Sequence, residues 1–236
     1  MGRRNALIEY YFRGEQALAA AGSGAGGPWV KADTSAAGAP TVGGLAGGGL
    51  RMLLASNTEV ENLCVYHGDV LSFDIDDIVS AEFAVKTVAT LDSATSIAFG
   101  LCSARNDDPD ALAAHASFRC IGSNAIVAET DDGTNDNDDV ATGLTLGATW
   151  KRFRIDFASR NTTIEPPSVS KGRKSNIEFY GSNDNGSLRR VASGTRFDMS
   201  NYSSGLQPYF QIQKTSDSNV DNLDILYCAI EVSLPF

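Results

Sequence analysis

Apolar and polar residues alternate with a period of two along most of this chain, and this pattern constrains the fold more than any other feature. The segment AEFAVKTVATL has one face made of Ala81, Phe83, Val85 and Ala89. Later segments repeat the pattern, with inward positions at Phe153, Ile155, Phe157, Ile177, Phe179, Phe210, Ile212, Leu226, Cys228, Ile230 and Val232. One-sided strands are typical of antiparallel sheets that pack face to face. The sequence therefore predicts an all-β fold, a two-sheet antiparallel sandwich.

Turn-forming residues separate the predicted strands. Examples are NDNG at residues 183–186 and SDSN at residues 216–219. One short helix is predicted within DPDALAAHA, because Asp108 can cap a helix and Pro109 suits its first position. The remaining elements are expected to be strands.

Composition divides the chain into three parts. Residues 1–27 are expected to form an N-terminal arm that ends in a flexible GSGAGG hinge. Residues 28–50 are rich in Gly and Ala and are expected to lie extended over a neighbouring surface. Residues 51–236 are expected to form the sandwich domain, which is an ordinary length for a single all-β domain.

The charge balance excludes some classes of partner. With 29 acidic and 19 basic residues the formal net charge is −10, whereas a nucleic-acid-binding surface needs a basic patch to displace counterions from phosphates. Nucleic acid and anionic membranes are therefore not expected as partners. No segment approaches the roughly 18 apolar residues of a membrane span. Glu9, Arg13 and Glu15 interrupt any signal-like apolar stretch, so we expect synthesis and folding in a cytoplasm.

The four cysteines lie far apart and form no CxxC pair, so a zinc ribbon or redox motif is not expected. We interpret them as small buried apolar residues on strands. A disulfide between two of them remains the alternative. The cysteines are Cys64, Cys102, Cys120 and Cys228.

No set of catalytic residues is complete. A retaining glycosidase needs two carboxyl groups about 5 Å apart, and the sandwich glycosidases place them in an E-x-D-x-x-E pattern. Here ETDDGT supplies Glu129 and Asp131, but Thr134 stands where the second glutamate belongs. His67 and His115 have no nucleophile nearby in the sequence, so both are interpreted as structural. The protein is not expected to be an enzyme.

The stretch ETDDGTNDNDD, residues 129–139, is rich in oxygen donors and raises the question of a calcium site. Its glycine comes too early for an EF-hand loop and the distant glutamate is missing. A site whose ligands come from separate loops remains the alternative. We expect an acidic hairpin loop that is kept soluble by its own charge, and we predict no metal and no cofactor.

The order of the segments resembles a group of tailed-bacteriophage virion proteins. It runs through FDIDDIVSAEFAVK, IAFGLCSARNDDPDA, ASFRCIGSNAIVAETDDG, WKRFRIDFA, FDMSNY and LQPYFQIQKTSDSNVDNLDILY. This resemblance implies a concanavalin-like or jelly-roll sandwich and a decoration, or cement, protein on the virion capsid surface. It also implies binding to the major capsid protein and assembly into a homo-oligomer, a trimer. A ring of three subunits would bury residues 28–50 between them.

The N-terminal arm is the predicted capsid-docking segment, since arginine and aromatic residues are enriched at the centres of interfaces. The alternative is an amphipathic helix folded back on its own sandwich. The docking candidates are Arg3, Arg4, Tyr10, Tyr11, Phe12 and Arg13.

A second function class stays open, a carbohydrate-binding module of a tail fibre or host-adhesion protein. Sugar-binding sandwiches present outward aromatic rings for stacking. The clear candidates here are Tyr180 and Tyr209, but ordinary amphipathic surface is the preferred explanation for both.

Overall fold

The structure is a computed structural model. It describes residues 4–12, 18–20, 28–70, 72–157, 174–183 and 186–234. The strands are β1 (Arg4–Tyr11), β2 (Ala19–Ala20), β3 (Val30–Asp33), β4 (Thr41–Gly44), β5 (Leu50–Leu53), β6 (Glu61–Tyr66), β7 (Phe73–Asp74), β8 (Ile78–Thr87), β9 (Thr95–Cys102), β10 (His115–Ile121), β11 (Ala125–Asp131), β12 (Asp136–Thr145), β13 (Lys151–Asp156), β14 (Glu178–Gly181), β15 (Arg189–Val191), β16 (Gly205–Lys214) and β17 (Asn222–Leu234).

The strands form two sheets. In the eight-stranded sheet the order is β15-β14-β13-β8-β17-β5-β4, and β1 also pairs with β17. In the nine-stranded sheet the order is β12-β11-β10-β9-β16-β6-β3-β2, and β7 also pairs with β16. Pairing is antiparallel apart from the short parallel contact between β2 and β3. Each sheet is therefore assembled from distant parts of the chain.

The sheets pack face to face around one large hydrophobic core. Phenylalanine rings fill its centre. The Phe118 ring lies 5.0 Å from that of Phe153 and 5.1 Å from that of Phe179, and Phe99 lies 5.1 Å from Phe153. These separations are typical of favourable edge-on and tilted aromatic pairs. The predicted all-β, two-sheet antiparallel sandwich is confirmed.

The period-two pattern places most inward residues correctly. Ala89 is an exception, because β8 ends two residues before it and the side chain is exposed. Leu226 is another, since it sits at a register shift in the pairing of β17 with β8 and is only half-buried. This β-bulge changes the phase of the strand, so that Ile225 before it and Cys228 after it both face the core. The confirmed inward residues are Ala81, Phe83, Val85, Phe153, Ile155, Phe157, Ile177, Phe179, Phe210, Ile212, Cys228, Ile230 and Val232.

The predicted helix is shorter than expected. It is a single 3-10 turn, Pro109–Ala111, and the Asp108 side chain caps it by accepting a hydrogen bond from the main-chain nitrogen of Asp110 at 3.1 Å. The chain cannot continue as a helix, because β10 begins at His115 and pairs on both sides. Within the described ranges, no helix has the length and apolar character needed to cross a membrane.

The N-terminal segment belongs to the sandwich. β1 pairs with β17 along its whole length, and Ala6, Ile8 and Tyr10 pack against the core. Phe12 is buried at the end of this strand. Neither a free arm nor an amphipathic helix describes these residues, because their own period-two pattern extends the core face of the sheet. The GSGAGG hinge lies outside the described residues.

Residues 28–50 are also part of the sandwich. Trp29 is buried between the rings of Tyr10, Phe12 and Phe210, with centroid distances of 5.2–5.8 Å. β3 extends the nine-stranded sheet and β4 extends the eight-stranded sheet. Trp29 thus anchors a segment whose composition alone suggested an extended chain without a core of its own. The described residues therefore show no domain boundary at residue 27 or at residue 50.

The cysteines lie where the sequence placed them, on strands β6, β9, β10 and β17. All four are buried and free, as the interpretation of small apolar residues predicted. Burial raises the pKa of the Cys120 thiol to about 12, although a backbone hydrogen bond lowers it in part. The thiols are therefore protonated at neutral pH and act as core side chains.

Candidate functional site

The outer face of the nine-stranded sheet is covered by the chain itself. Residues 103–114, here called the cover segment, join β9 to β10 and place Leu112 in a small apolar cluster with Tyr209. The side-chain amides of Asn62 and Gln211 both donate to the main-chain oxygen of Asp107, at 2.7 Å each. Tyr209 is consequently 0 % exposed. It does face outward from the sheet as predicted, but no ligand can stack on it.

A buried ion cluster lies beside the cover segment on the same face. The guanidinium Nη1 of Arg119 donates to both carboxylate oxygens of Glu129, at 2.7 and 2.9 Å. His115 Nε2 lies 3.6 Å from the same carboxylate. Asp110, from the cover segment, pairs with the same Nη1 of Arg119. Glu129 and Arg119 are both buried, so the cluster ties the cover segment to the sheet.

The electrostatics of Glu129 do not suit the general acid of a glycosidase. Burial alone raises the pKa of this carboxyl, but the nearby His115 imidazole and the hydrogen bonds from Arg119 outweigh burial and lower it. A glycosidase general acid needs a raised pKa, which keeps its proton available. Asp131 lies two residues further along β11, and Thr134 lies in the exposed turn that follows. Glu129 acts here as a permanent anion that holds Arg119.

The acidic stretch forms a hairpin between β11 and β12, but the predicted loop is limited to residues 132–135, because residues 129–131 and 136–139 lie in the paired strands. Asp132 organises its turn, because its carboxylate accepts hydrogen bonds from the main-chain nitrogens of Thr134, Asn135 and Asn201 at 2.7–2.9 Å. Burial raises the pKa of Asp132, but these bonds outweigh it and the pKa is lowered. The turn is held by an ionised aspartate and by a contact with the segment before β16.

Carboxyl groups crowd one another along β12. Burial, and then the Asp138 carboxyl, raise the pKa of Asp136. A hydrogen bond with Glu129, and then burial, raise the pKa of Asp139. Among the described residues, no group of three or more His, Cys, Asp or Glu side chains is arranged to hold a metal ion. The hairpin is therefore a surface where negative charges repel.

The predicted docking residues whose side chains the structure describes do not form one surface. Phe12 is buried in the core and Tyr10 is half-buried, 5.2 Å from the ring of His67. Tyr11 points the other way and is 49 % exposed. Arg3 and Arg13 lie outside the described residues, and of Arg4 only the backbone is described. Strand alternation is the physical reason, since consecutive residues face opposite sides of a sheet.

The outer face of the eight-stranded sheet carries a row of charged and aromatic side chains. Cross-strand pairing aligns these residues directly beside one another over six strands. Acidic and basic groups are close enough to pair, with Arg190 Nη1 lying 3.2 Å from Glu178 Oε1 at one end of the face. The members of the row are Arg190, Tyr180, Arg154, Glu82, Ala229 and Glu9.

Beside it lies a second row, Arg152, Ala84, Tyr227 and Tyr11, whose polar groups converge on Glu82 of the first row. Arg152 donates to its carboxylate from Nη2 at 2.7 Å and from Nε at 3.0 Å, and the Tyr227 hydroxyl donates to the same oxygen. The Tyr11 ring lies 5.6 Å from that of Tyr227. Arg152 remains 43 % exposed. We call this surface the arginine–tyrosine face and define it by Tyr11, Arg152, Arg154, Tyr180, Arg190 and Tyr227.

Sequence reasoning found Tyr180 on this face and missed Tyr227. The signal was present, because a strand that turns Cys228 inward must turn its neighbour Tyr227 outward. Arg152 and Arg154 alternate along β13 with the predicted inward residues Phe153 and Ile155, and so lie on this outer face.

The comparisons with known proteins give a fold but no family. No family model and no curated protein matches the chain. A β-glucanase of Bacillus licheniformis superposes with a TM-score of 0.56 at 12 % identity, over 94 % of this chain and 97 % of that one. The chain has the jelly-roll fold of lectins and glucanases.

Two further solved structures share the fold. Peanut lectin gives a TM-score of 0.56 at 10 % identity, over 99 % of this chain and 100 % of the lectin. A Shewanella oneidensis MR-1 protein of unknown function gives 0.59 at 9 % identity, over 98 % and 87 %. Because one sandwich carries sugar binding in some proteins and hydrolysis in others, function has to be argued from the surfaces of this chain.

Proposed function

We propose that this protein is a structural virion protein of a tailed phage, and that it decorates and stabilises the capsid by binding the major capsid protein. The phage assignment rests on the sequence resemblance. The observation that carries the binding mode is the contrast between the two outer faces. One face is filled by the cover segment, whereas the other presents the arginine–tyrosine face. No catalysis and no cofactor are part of this function.

The arginine–tyrosine face suits a protein partner. Tyrosine and arginine are enriched at interface centres, where they contribute most of the binding energy. Tyr11 and Arg152 are about half exposed, and Leu7, on the same side of β1, is 61 % exposed. The cationic and anionic groups of the face are paired with each other, so a partner that also carries both signs would fit best. Docking is thus proposed for this face, which contains Tyr11 of the candidates taken from the sequence, in place of the N-terminal arm.

The proposal includes a trimer on the outer surface of the virion. Multivalent attachment would multiply a modest affinity per subunit, since the second and third contacts form at high effective concentration. The net charge of −10 helps to keep the parts of the domain that point away from the shell soluble.

The test is to mix the purified protein with undecorated phage heads and count the bound copies after sedimentation. The double variant Leu7→Ser/Tyr11→Ser should bind far fewer copies, because both side chains are exposed on the docking face. Ile121→Ser is the matched control, since this residue is 44 % exposed and lies on the nine-stranded sheet. Equal binding by the wild type and both variants would contradict docking through this face, and absence of binding by the wild type would contradict capsid decoration itself.

A carbohydrate-binding module of a tail fibre or host-adhesion protein is the second candidate. The observation that favours it is the shared fold with peanut lectin. A glycan array distinguishes the two functions. A specific glycan bound with micromolar affinity, together with no binding to heads, would favour the second candidate.

A further inference from the structure

A small cavity opens on the outer side of the eight-stranded sheet, at the end near β15. Its volume is about 160 Å³, and its walls are Arg154, Asp156, Tyr180 and Leu188. Arg154 and Asp156 lie two residues apart on β13 and so share a face, and Tyr180 of β14 pairs directly with Arg154. Regular strands therefore fix three of the four walls relative to one another.

Among the described residues that line the cavity, one cation and one anion are paired. The guanidinium Nη2 of Arg154 donates to Asp156 Oδ2 at 3.1 Å, and Asp156 is almost fully buried. A bound anion would face the Asp156 carboxylate, and a bound cation would face the guanidinium. Either ion would have to compete with a partly buried ion pair. The walls therefore favour a neutral ligand.

The polar groups of the cavity can serve a ligand that both donates and accepts hydrogen bonds. A guanidinium offers five N–H donors, and a carboxylate offers about four acceptor sites. Within the described residues, the Nε of Arg154 has no hydrogen-bond partner, so the guanidinium is not saturated. Adjacent hydroxyl groups match this pattern, because each can accept from Arg154 and donate to Asp156.

The other two walls are apolar. The Tyr180 hydroxyl donates to Glu178 Oε2 at 2.6 Å, which fixes the ring. Burial, and then the Glu178 carboxylate, raise the pKa of Tyr180 to about 12, so the phenol is neutral at physiological pH. An aromatic ring opposite a leucine side chain suits the C–H surface of a sugar ring.

We infer that this cavity binds a neutral polyhydroxyl ligand, and that the ligand is a single pyranose unit such as the end of a glycan. Clefts for drug-sized ligands are roughly 300–1,000 Å³, so a cavity of this size holds one ring and binds it weakly, in the millimolar range. The inference does not depend on capsid binding, because its readout is the environment of Tyr180 and not attachment to heads.

The experiment uses full-length protein with ¹³C-labelled tyrosine rings, observed by NMR during titration. The probes are the methyl glycosides of glucose, mannose and galactose, with inorganic phosphate as a charged probe. At least one glycoside should shift the Tyr180 signal saturably, at millimolar concentration, and leave the Tyr11 signal unchanged.

Two variants test the walls. Arg154→Met should weaken the glycoside-induced shift at least tenfold, because it keeps the size of the side chain and removes the donors. Tyr227→Phe, on the same face but outside the cavity, should leave the affinity unchanged. The inference is wrong if no glycoside shifts Tyr180, if phosphate shifts it and the glycosides do not, or if Arg154→Met binds as well as the wild type.

Discussion

The ring of Phe12 packs edge-on against the indole of Trp29, with ring centroids 5.2 Å apart and ring planes at 62°. Phe12 directly follows β1, which belongs to the eight-stranded sheet, whereas Trp29 directly precedes β3, which belongs to the nine-stranded sheet. The contact therefore joins the two layers of the sandwich. It makes the N-terminal strand part of the core.

Replacing Phe12 with Ala should lower the free energy of unfolding by about 3–5 kcal/mol, because it leaves a cavity in a packed core. Chemical denaturation measures this directly. The neighbouring variant Tyr11→Ala is the control and should change stability by less than about 1 kcal/mol, since Tyr11 faces outward. Similar losses in both variants would mean that β1 contributes through pairing alone. Deletion of residues 1–27 should likewise destabilise the sandwich, because β1 pairs with β17. A free arm would instead predict no loss of stability on deletion.

Replacing Glu129 with Gln should cost about 3 kcal/mol at neutral pH, because it leaves the buried guanidinium of Arg119 without its main counter-ion. The lowered pKa of Glu129 sets the pH dependence. The stabilisation is present above the unfolded-state pKa of about 4.3 and is lost as the pH falls through the lower folded-state value. The difference from the wild type should therefore shrink in acid. Asp131→Asn is the control on the same strand and should change stability much less. Neither the wild type nor Glu129→Gln should hydrolyse β-glucan.

The triple variant Asp136→Asn/Asp138→Asn/Asp139→Asn should melt within a few degrees of the wild type at pH 7, with or without calcium. Asp136 and Asp139 have raised pKa values, so what they contribute to stability is present when they are protonated and is lost as the pH rises through the folded-state pKa. The melting temperature of the variant, relative to that of the wild type, should therefore be higher at pH 7 than at pH 4. A melting temperature that rises with calcium in the wild type only would instead indicate an occupied ion site.

The cysteine thiols should not react with a thiol reagent at pH 8 in the native protein. All four are buried, and burial raises the pKa of each of them, to about 12 for Cys120. The thiolate is the reactive form, so modification has to wait for unfolding. Four equivalents of reagent should be consumed in denaturant. Rapid labelling of one thiol without denaturant would contradict this packing.

Strand periodicity predicted the sandwich and most inward residues. A strand that buries one side alternates apolar and polar residues, and this alternation can be read from neighbouring positions in the sequence. It missed β1. The same pattern is present there at Ala6, Ile8 and Tyr10, but consecutive aromatic residues and nearby arginines obscured it. The bulge at Leu226 could not be predicted, since it depends on pairing with a distant strand.

The surfaces were harder to predict than the core. Tyr209 was correctly predicted on the outer side of its strand. Its exposure, however, depends on which other segments of the chain pack against that side. The cover segment buries it through Leu112 and through the main chain of Asp107. Conversely, the sequence showed that Glu129 lacks the second glutamate of a glycosidase, but it did not show the ion pair with Arg119. Arg119 lies on the neighbouring strand β10, and the pairing of β10 with β11 brings the two side chains together.

The pairing of β1 with β17 also sets an order of events during synthesis. Residue 4 lies opposite residue 234, so β1 leaves the ribosome well before β17, the strand with which it pairs. At about 5–20 residues per second, the interval is roughly ten to fifty seconds. During that time the apolar side of β1 is unprotected, and Trp29 lacks one of its packing partners. The apolar side of β1 is thus vulnerable to aggregation or to chaperone capture until β17 is made. The eight-stranded sheet is complete only after β1 and β17 have paired.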